Sequence, residues 1–350
     1  MGHCSDYVQY ILHADARLNP EFDEATYAKK LQLCPQSTFL FFEVARRFFF
    51  SNTTSHRNIW IPNIEQIDKW QHFYFPRTHQ FLCKTKVTCE ALRKYLKANG
   101  LERPLKPSSI DLPYAHPHLS DQQLVYMSHT SVDIRENALT LFGPNHLKKL
   151  HQDFNKFIHV HGSSGRKHTR QVFDCWKWHP EWPELVIVGS RAMRWPPNIK
   201  LYNRLSIKKL RALQVTHGVH ICPSNQEGYG HYINEARSLS ALVLTTNYAP
   251  MNEMVVDGES GILIDYDPLP GEEYQLMQDH FVSPVRVTSE YICSAIEKVL
   301  KMPLEERKRM GRKAREGYDY DKVVMEGNME EFQRGVHEYY TSGWKQGIVE

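Results

Sequence analysis

Residues 218–265 read GVHICPSNQEGYGHYINEARSLSALVLTTNYAPMNEMVVDGESGILID, and the order of apolar runs and glycines in them decides the fold. Val219–Cys222 is a short apolar strand closed by Pro223. Ser224–Gly230 is a loop carrying Gly228 and Gly230. Tyr232–Leu239 has helical patterning and Ala241–Thr245 is a second strand. Asp257-Gly258 with Gly261 turns the chain into a third strand, Ile262–Ile264. In a strand, glycine loop, helix, strand unit the glycines let a ligand approach the backbone. The helix start then presents free N–H groups to an anion.

Two acids mark this stretch. Glu227 precedes the glycines at the mouth of the helix, and Glu235 lies about two turns down its side, roughly 12 Å of helical rise away. Taken singly, Glu227 is a helix-start acid favoured by the dipole and Glu235 a solvated helix residue. Together with the glycines they suit an elongated ligand. Its phosphates would sit at the helix start, one carboxylate would meet the group beyond them, and the other a pair of sugar hydroxyls behind.

A second loop has matching chemistry. From Phe157 the chain reads FIHVHGSSGRKHT, a strand followed by Gly162, Ser163, Ser164, Gly165, Arg166 and Lys167. Glycines, hydroxyls and two cations suit a diphosphate. The G-x-x-x-x-G-K-[ST] spacing of an ATP-hydrolysing loop is absent.

The stretch around Glu227 resembles the carboxyl-terminal domain of the retaining GT-B glycosyltransferases, in particular glycosyltransferase family 4. The residues that carry the resemblance are Pro223-Ser224, Glu227-Gly228-Tyr229-Gly230, Glu235-Ala236, Glu253, Asp257-Gly258 and Gly261. A weaker resemblance runs from about Phe157 to Gly317. It implies an α/β GT-B fold, two Rossmann-like domains facing a cleft. It also implies a hexosyltransferase of the EC 2.4 type that uses a UDP- or GDP-linked sugar as substrate and needs no cofactor. Glu235 would hold the ribose hydroxyls and Glu227 the donor sugar. Lys167 would neutralise the leaving diphosphate, assisted by backbone N–H groups near Gly228, Tyr229 and Gly230. Gly162, Ser163 and Arg166 complete the donor set. Ser163 stands where the family has an arginine, and Arg166 is the substitute. No metal is implied, because lysine and arginine can balance the charge. The acceptor, whether glycan, lipid or protein, is unknown.

Composition is compatible with this reading. At 350 residues, 41% hydrophobic and 24% charged, the chain is long enough for two globular domains. A net charge of +3, without an aromatic-basic signature, gives no sign of nucleic-acid binding. No apolar run approaches the ~20 residues of a membrane span, and no signal peptide is visible. Seven scattered cysteines without CxxC spacing read as reduced thiols in a cytoplasmic compartment. Basic residues between Lys298 and Arg315 alternate with glutamates and read as a solvated helix face, with contact to an anionic membrane surface as the second reading. His116/His118 and His159/His161 are the nearest approach to metal pairs, and the second reads as alternating strand positions. Asp265/Asp267 and Asp319/Asp321 have D-x-D spacing but lie outside the donor stretch.

Along the chain, Glu24–Leu33 reads as a helix, Thr38–Val44, Asn58–Ile61, Gln80–Cys83 and Val125–Ser128 as strands, and Cys89–Ala98 as a helix. Pro104–Pro117 is a loop and Pro144–Asn155 a helix. Helices at Thr169–Trp178 and Ser206–Gln214, and strands at Glu184–Gly189 and Asn198–Tyr202, lead into the central stretch. Thr288–Lys301, Leu304–Gly317 and Lys322–Tyr340 are three further helices. This pattern divides the chain into an abbreviated acceptor-side domain (1–150), a nucleotide-sugar domain (151–318) and a helix crossing back (319–350). Asn63, Glu65, Lys84, Lys86 and His129-Thr130-Ser131 are the acceptor-side candidates. The family usually opens with a strand and a glycine-rich loop, which are missing before Thr38. That gap and the missing arginine keep a second function open, a non-catalytic GT-B-like subunit, and a nucleotide-sugar epimerase on the same fold is a third.

Overall fold

The computed structural model describes residues 38–43, 57–67, 69–102, 123–162, 164–189, 196–269 and 283–346. The expected helix at Glu24–Leu33, the loop at Pro104–Pro117, Ser163 and the His116/His118 pair lie outside these residues. Described residues up to Met127 and from Gly327 onward form one compact unit, and those from Ser128 to Glu326 the other.

The first unit is built on a four-stranded parallel sheet of β1 (Thr38–Glu43), β2 (Arg57–Pro62), β3 (Gln80–Cys83) and β4 (Leu124–Tyr126), in chain order. Helix α1 (Lys86–Ala98) follows β3 and is capped by the Thr85 side chain. It begins three residues before the expected Cys89. β2 is followed by two 3-10 segments, Ile64–Gln66 and Lys69–Arg77. Trp60, Phe75 and Phe81 meet at ring separations of 5.4–5.9 Å, and Leu92 and Leu96 of α1 close the same cluster. Each such buried ring contributes on the order of 2–3 kcal/mol.

The second unit opens with α2 (Ile134–Phe142) and the one-turn α3 (Pro144–Leu147). The helix expected over Pro144–Asn155 is therefore cut short. Asp153 already begins β5 (Asp153–Val160), whose Phe154, Phe157 and Ile158 are buried strand positions. Then come α4 (Thr169–Trp178), β6 (Leu185–Val188), β7 (Ile199–Tyr202), α5 (Ile207–Thr216), β8 (His217–Cys222), α6 (His231–Ser238), β9 (Leu242–Thr246) and β10 (Gly261–Ile264). The six strands are parallel, in the order β10-β9-β8-β5-β6-β7. Renumbered from β5, that is 3-2-1-4-5-6, the doubly wound dinucleotide order, whose topological switch point lies between the first and fourth strands. β6 and β9 are buried along their whole length, as a parallel sheet covered on both faces requires.

The segment 128–150, expected in the first half, groups with this second unit. Its bonds explain why. The Ile134 amide donates to Ser238 Oγ at 3.0 Å, Ser131 Oγ lies 2.9 Å from His231 Nδ1, and Asp133 pairs with Arg315 at 2.8 Å.

A short hairpin, β11 (Asp267–Pro268) with β12 (Val285–Arg286), precedes α7 (Ser289–Lys301) and α8 (Leu304–Gln346). α8 is one helix of 43 residues where two are expected. Gly317 does not end it: a Cβ there would stand 2.6 Å from Arg237 Nη2, so the glycine marks a close approach instead of a stop.

The cysteine reading is corrected. Cys83 is paired with Cys89, and Cys175 with Cys293, the second linking α4 to α7. Cys222 is the buried free cysteine among the described residues. No described helix is long and apolar enough to cross a membrane.

Candidate functional site

The loops that follow β5 and β8 leave the carboxyl ends of the two strands flanking the switch point, and they meet there. The Asn225 amide donates to the Arg166 carbonyl at 3.0 Å. The Asn225 carbonyl accepts from the Val285 amide at 3.0 Å, fastening the hairpin to the same residue. Lys167 reaches across, with Nζ 3.9 Å from the centroid of the Tyr232 ring. The loop of Gly162, Arg166 and Lys167 and the loop of Glu227, Gly228, Tyr229 and Gly230 thus form one locus, with α6 beginning at its edge.

Local conformation sets this up. Gly230 caps α6 with φ of 100°, where a Cβ would stand 2.9 Å from Met254 Cε. Only glycine takes that backbone without strain. His168, at the start of α4, holds a left-handed φ of 45° beside Lys167, a strained conformation for a residue with a Cβ.

Glu227 and Glu235 are both partly buried, and burial raises both carboxyls above their usual range. At Glu227 the Ser224 hydroxyl, Lys167 and Arg166 pull the other way. Ser224 Oγ donates to Glu227 Oε1 at 2.6 Å and lies 2.6 Å from the Tyr232 hydroxyl. At Glu235 the opposing partners are Arg211 and Gln214 of α5, with Lys167 adding to them. Gln214 Nε2 donates to Oε2 at 3.2 Å, and Arg211 Nη1 stands 3.7 Å from the same oxygen. Arg211 is itself fixed by Gln214 Oε1 at 2.7 Å and Asn137 Oδ1 at 3.0 Å.

Beneath the first loop lies a polar chain. His159 Nδ1 is 2.7 Å from the Ile221 carbonyl, which can only accept. The neutral ring's Nε2 then accepts from Thr169 Oγ1 at 2.9 Å, and that oxygen is left to accept from His161 Nδ1 at 2.8 Å. Burial drives the His159 pKa down to about 3, so it is neutral near pH 7, and burial with Lys167 nearby lowers that of His161. The two histidines are linked through Thr169 as structural neighbours, not as a metal pair. Among the described residues no three His, Cys, Asp or Glu side chains converge on one point. Of the D-x-D acids, Asp267 accepts from Tyr291, Asp319 pairs with Arg315 and Asp321 with Arg237.

The acceptor-side candidates part company. Asn63 and Lys84 are buried and bonded to each other in the first unit. Thr130 and Ser131 serve the second unit, bonded to Asn234 and His231, and the Tyr229 hydroxyl donates to the His129 carbonyl at 2.6 Å. The basic face of α7 and α8 is largely occupied by ion pairs, as at Lys301–Glu297, Lys308–Glu305, Arg309–Glu306 and Lys313–Glu316.

Tyr232, Arg211, Gln214 and Thr169 carry no role in the sequence reading. The Arg211/Gln214 spacing of one helical turn is their one local signal; the rest requires the third dimension.

No protein-family model and no curated protein sequence matches the chain. Solved structures do. A trehalose 6-phosphate synthase from Burkholderia multivorans superposes with a TM-score of 0.62 at 13% identity, covering 94% of this chain and 79% of its own. A glycosyltransferase from Rickettsia africae gives 0.59 at 11%, covering 92% and 84%. Anabaena HepE, solved in complex with UDP-glucose, gives 0.52 at 11%, covering 87% and 80%. The fold is GT-B. At these identities the likeness carries the architecture, with its Rossmann-like α/β domains, and the chemistry has to be argued from the residues.

Proposed function

We propose that this protein is a glycosyltransferase that moves a sugar from a UDP- or GDP-linked donor to an acceptor hydroxyl, with retention of configuration and without a metal ion. The observation that carries the reading is the meeting of the two loops at the switch point, where Lys167 stands over α6 and Asn225 is bonded to Arg166. Doubly wound sheets bind nucleotides in that crevice. Cations from one loop and a helix start from the other give a diphosphate what it needs.

In the reaction the anomeric C–O bond breaks with its electron pair going to the diphosphate. The acceptor oxygen bonds to the anomeric carbon, and its proton passes to the released phosphate or to water. Lys167 and Arg166 offset the charge growing on the leaving group, as do the amides at the start of α6. Glu227 holds the donor sugar. Glu235, with Oε2 already engaged by Gln214, offers Oε1 to the ribose diol. Gly162, Ser163, Gly228, Tyr229 and Gly230 line the phosphate path. Retention and metal independence rest on the motif resemblance and on these cations. The GT-B proteins above include one solved with UDP-glucose, which supports a nucleotide sugar as substrate.

This reading sets the reaction in a cytoplasmic compartment, and the Cys83–Cys89 and Cys175–Cys293 disulfides run against that location. Mass spectrometry after alkylation of the native protein reads their state. The acceptor is a glycan, lipid or protein hydroxyl. A flotation assay with anionic vesicles tests for membrane contact.

The deciding experiment incubates the protein with UDP- and GDP-sugars and follows nucleotide release with and without Glu227→Ala. Release that the substitution abolishes supports the transferase. An altered sugar with an intact diphosphate bond identifies an epimerase. Donor binding with no turnover on any acceptor identifies a non-catalytic subunit.

A further inference from the structure

Tyr232 lies in the first turn of α6, and its side chain makes two contacts that packing does not need. Its ring face carries the Lys167 ammonium at 3.9 Å from the centroid. Its hydroxyl is 2.6 Å from Ser224 Oγ, which is 2.6 Å from Glu227 Oε1. Proton counting fixes the direction of that chain. A serine hydroxyl has one hydrogen, and an ionised carboxylate can only accept, so Ser224 gives its hydrogen to Glu227. Tyr232 must then donate to Ser224. The anchor is rigid: Ser224 is fully buried and its carbonyl accepts from Thr246 Oγ1 at 2.6 Å.

We propose that Tyr232 is a positioning residue for both ends of the donor site, seating Lys167 on its ring and orienting Glu227 through Ser224. The inference rests on the donor site proposed above. One rigid side chain would then set the spacing between the cation that meets the diphosphate and the carboxylate that meets the sugar. Neither residue could drift without the other. The two functions of the tyrosine are chemically separable, because phenylalanine keeps the ring and loses the hydroxyl, whereas leucine loses both.

The test measures the affinity of UDP and of GDP by calorimetry, and nucleotide release from the matching sugar donors. It compares the wild type, Tyr232→Phe, Tyr232→Leu, Glu227→Gln and the Tyr232→Phe/Glu227→Gln double variant, with thermal melts to confirm folding. Tyr232→Phe should hold nucleotide affinity while release slows about 5- to 10-fold, the effect of one lost hydrogen bond. Tyr232→Leu should also weaken nucleotide binding about 3- to 30-fold, as loss of a partly buried cation–π contact predicts. Glu227→Gln should cost less in the Tyr232→Phe background than in the wild type, since the two share one chain. If Tyr232→Leu fails to fold, the Phe/Gln cycle decides alone. Additive effects in that cycle, or a folded Tyr232→Phe that releases nucleotide at the wild-type rate, would overturn the inference while leaving the donor site standing. A wild type that binds neither UDP nor GDP removes the donor site, and the inference with it.

Discussion

The mouth of α6 and its flank each hold a glutamate in a partly buried place, yet they are furnished differently. At the flank, Glu235 already has an arginine at 3.7 Å and an amide at 3.2 Å on one oxygen. At the mouth, Glu227 is bonded to a neutral serine, and Lys167 rests on an aromatic ring. The flank has an arginine beside its carboxylate before any ligand arrives, whereas the mouth keeps its cation and its carboxylate apart. A site for a charged leaving group needs that separation. A lysine locked in an ion pair with Glu227 would have to break it before meeting a diphosphate.

The contrast can be broken most forcefully at Lys167. Lys167→Ala should slow nucleotide release about 100- to 1,000-fold, the usual cost of removing one preorganised donor from a developing anion. Steady-state release with the responsive sugar donor measures it, and a loss under threefold would mean that the mouth does not stabilise the leaving group. Glu227→Gln comes next, with release down about 10- to 100-fold, the range for one hydrogen bond to a charged group. The same variant should melt at a higher temperature than the wild type, because it removes a carboxylate whose burial raises its pKa. A lower melting temperature would show Glu227 to be a structural acid.

Acid should separate the two regions. His220 Nε2 donates to the Gln214 carbonyl at 3.1 Å beneath the flank, and His159 lies beneath the mouth. Burial holds their pKa values at about 4 and about 3, below the ordinary 6.5 of a histidine. The unfolded chain therefore binds protons that the folded one refuses. Stability is full above pH 6.5 and falls as pH drops toward 4 for His220, and on toward 3 for His159. Each histidine costs up to about tenfold in the folding constant per pH unit in its window. The raised carboxyls of Glu227 and Glu235 act oppositely, gaining protons in the folded state and so offsetting part of the loss. Urea melts between pH 7 and pH 4.5 should show His220→Asn with a flatter acid slope than the wild type, and equal slopes would refute the assignment. The smallest effect is expected at Gln214→Leu. The Michaelis constant for the donor should rise about 3- to 10-fold with turnover kept, because Glu235 loses one amide donor while Arg211, still held by Asn137, stays beside it. A 2′-deoxyribose donor should lose less affinity in this variant than in the wild type.

Much of this is legible in the sequence alone. β8, the glycine loop, α6 and β9 follow from period and punctuation, because parallel strands buried on both faces read as continuous apolar runs. The family resemblance implied that Lys167 stands near the start of α6, and strand order explains why it does. What stayed hidden depended on distant partners. Pro144 starts a helix that Asp153 and Phe154 cut short in favour of the sheet. Gly317 looks like a stop until Arg237 is seen to need the space. Cys175 and Cys293 lie 118 residues apart in sequence, so no local pattern announces their bond. Tyr232 reads as an ordinary apolar helix position, since neither Lys167 nor Ser224 is its neighbour on the helix.

Asn225 joins three segments of the second unit through its main chain alone, receiving from Val285 and giving to Arg166. Peptide groups are common to nearly every residue, so this clasp is indifferent to the side chains around it. The bond that ties this loop to its counterpart therefore does not depend on which side chain stands at 166. A lineage could lose the arginine customary at position 163 and recruit a cation three places along, while the architecture persists at barely one identical residue in eight.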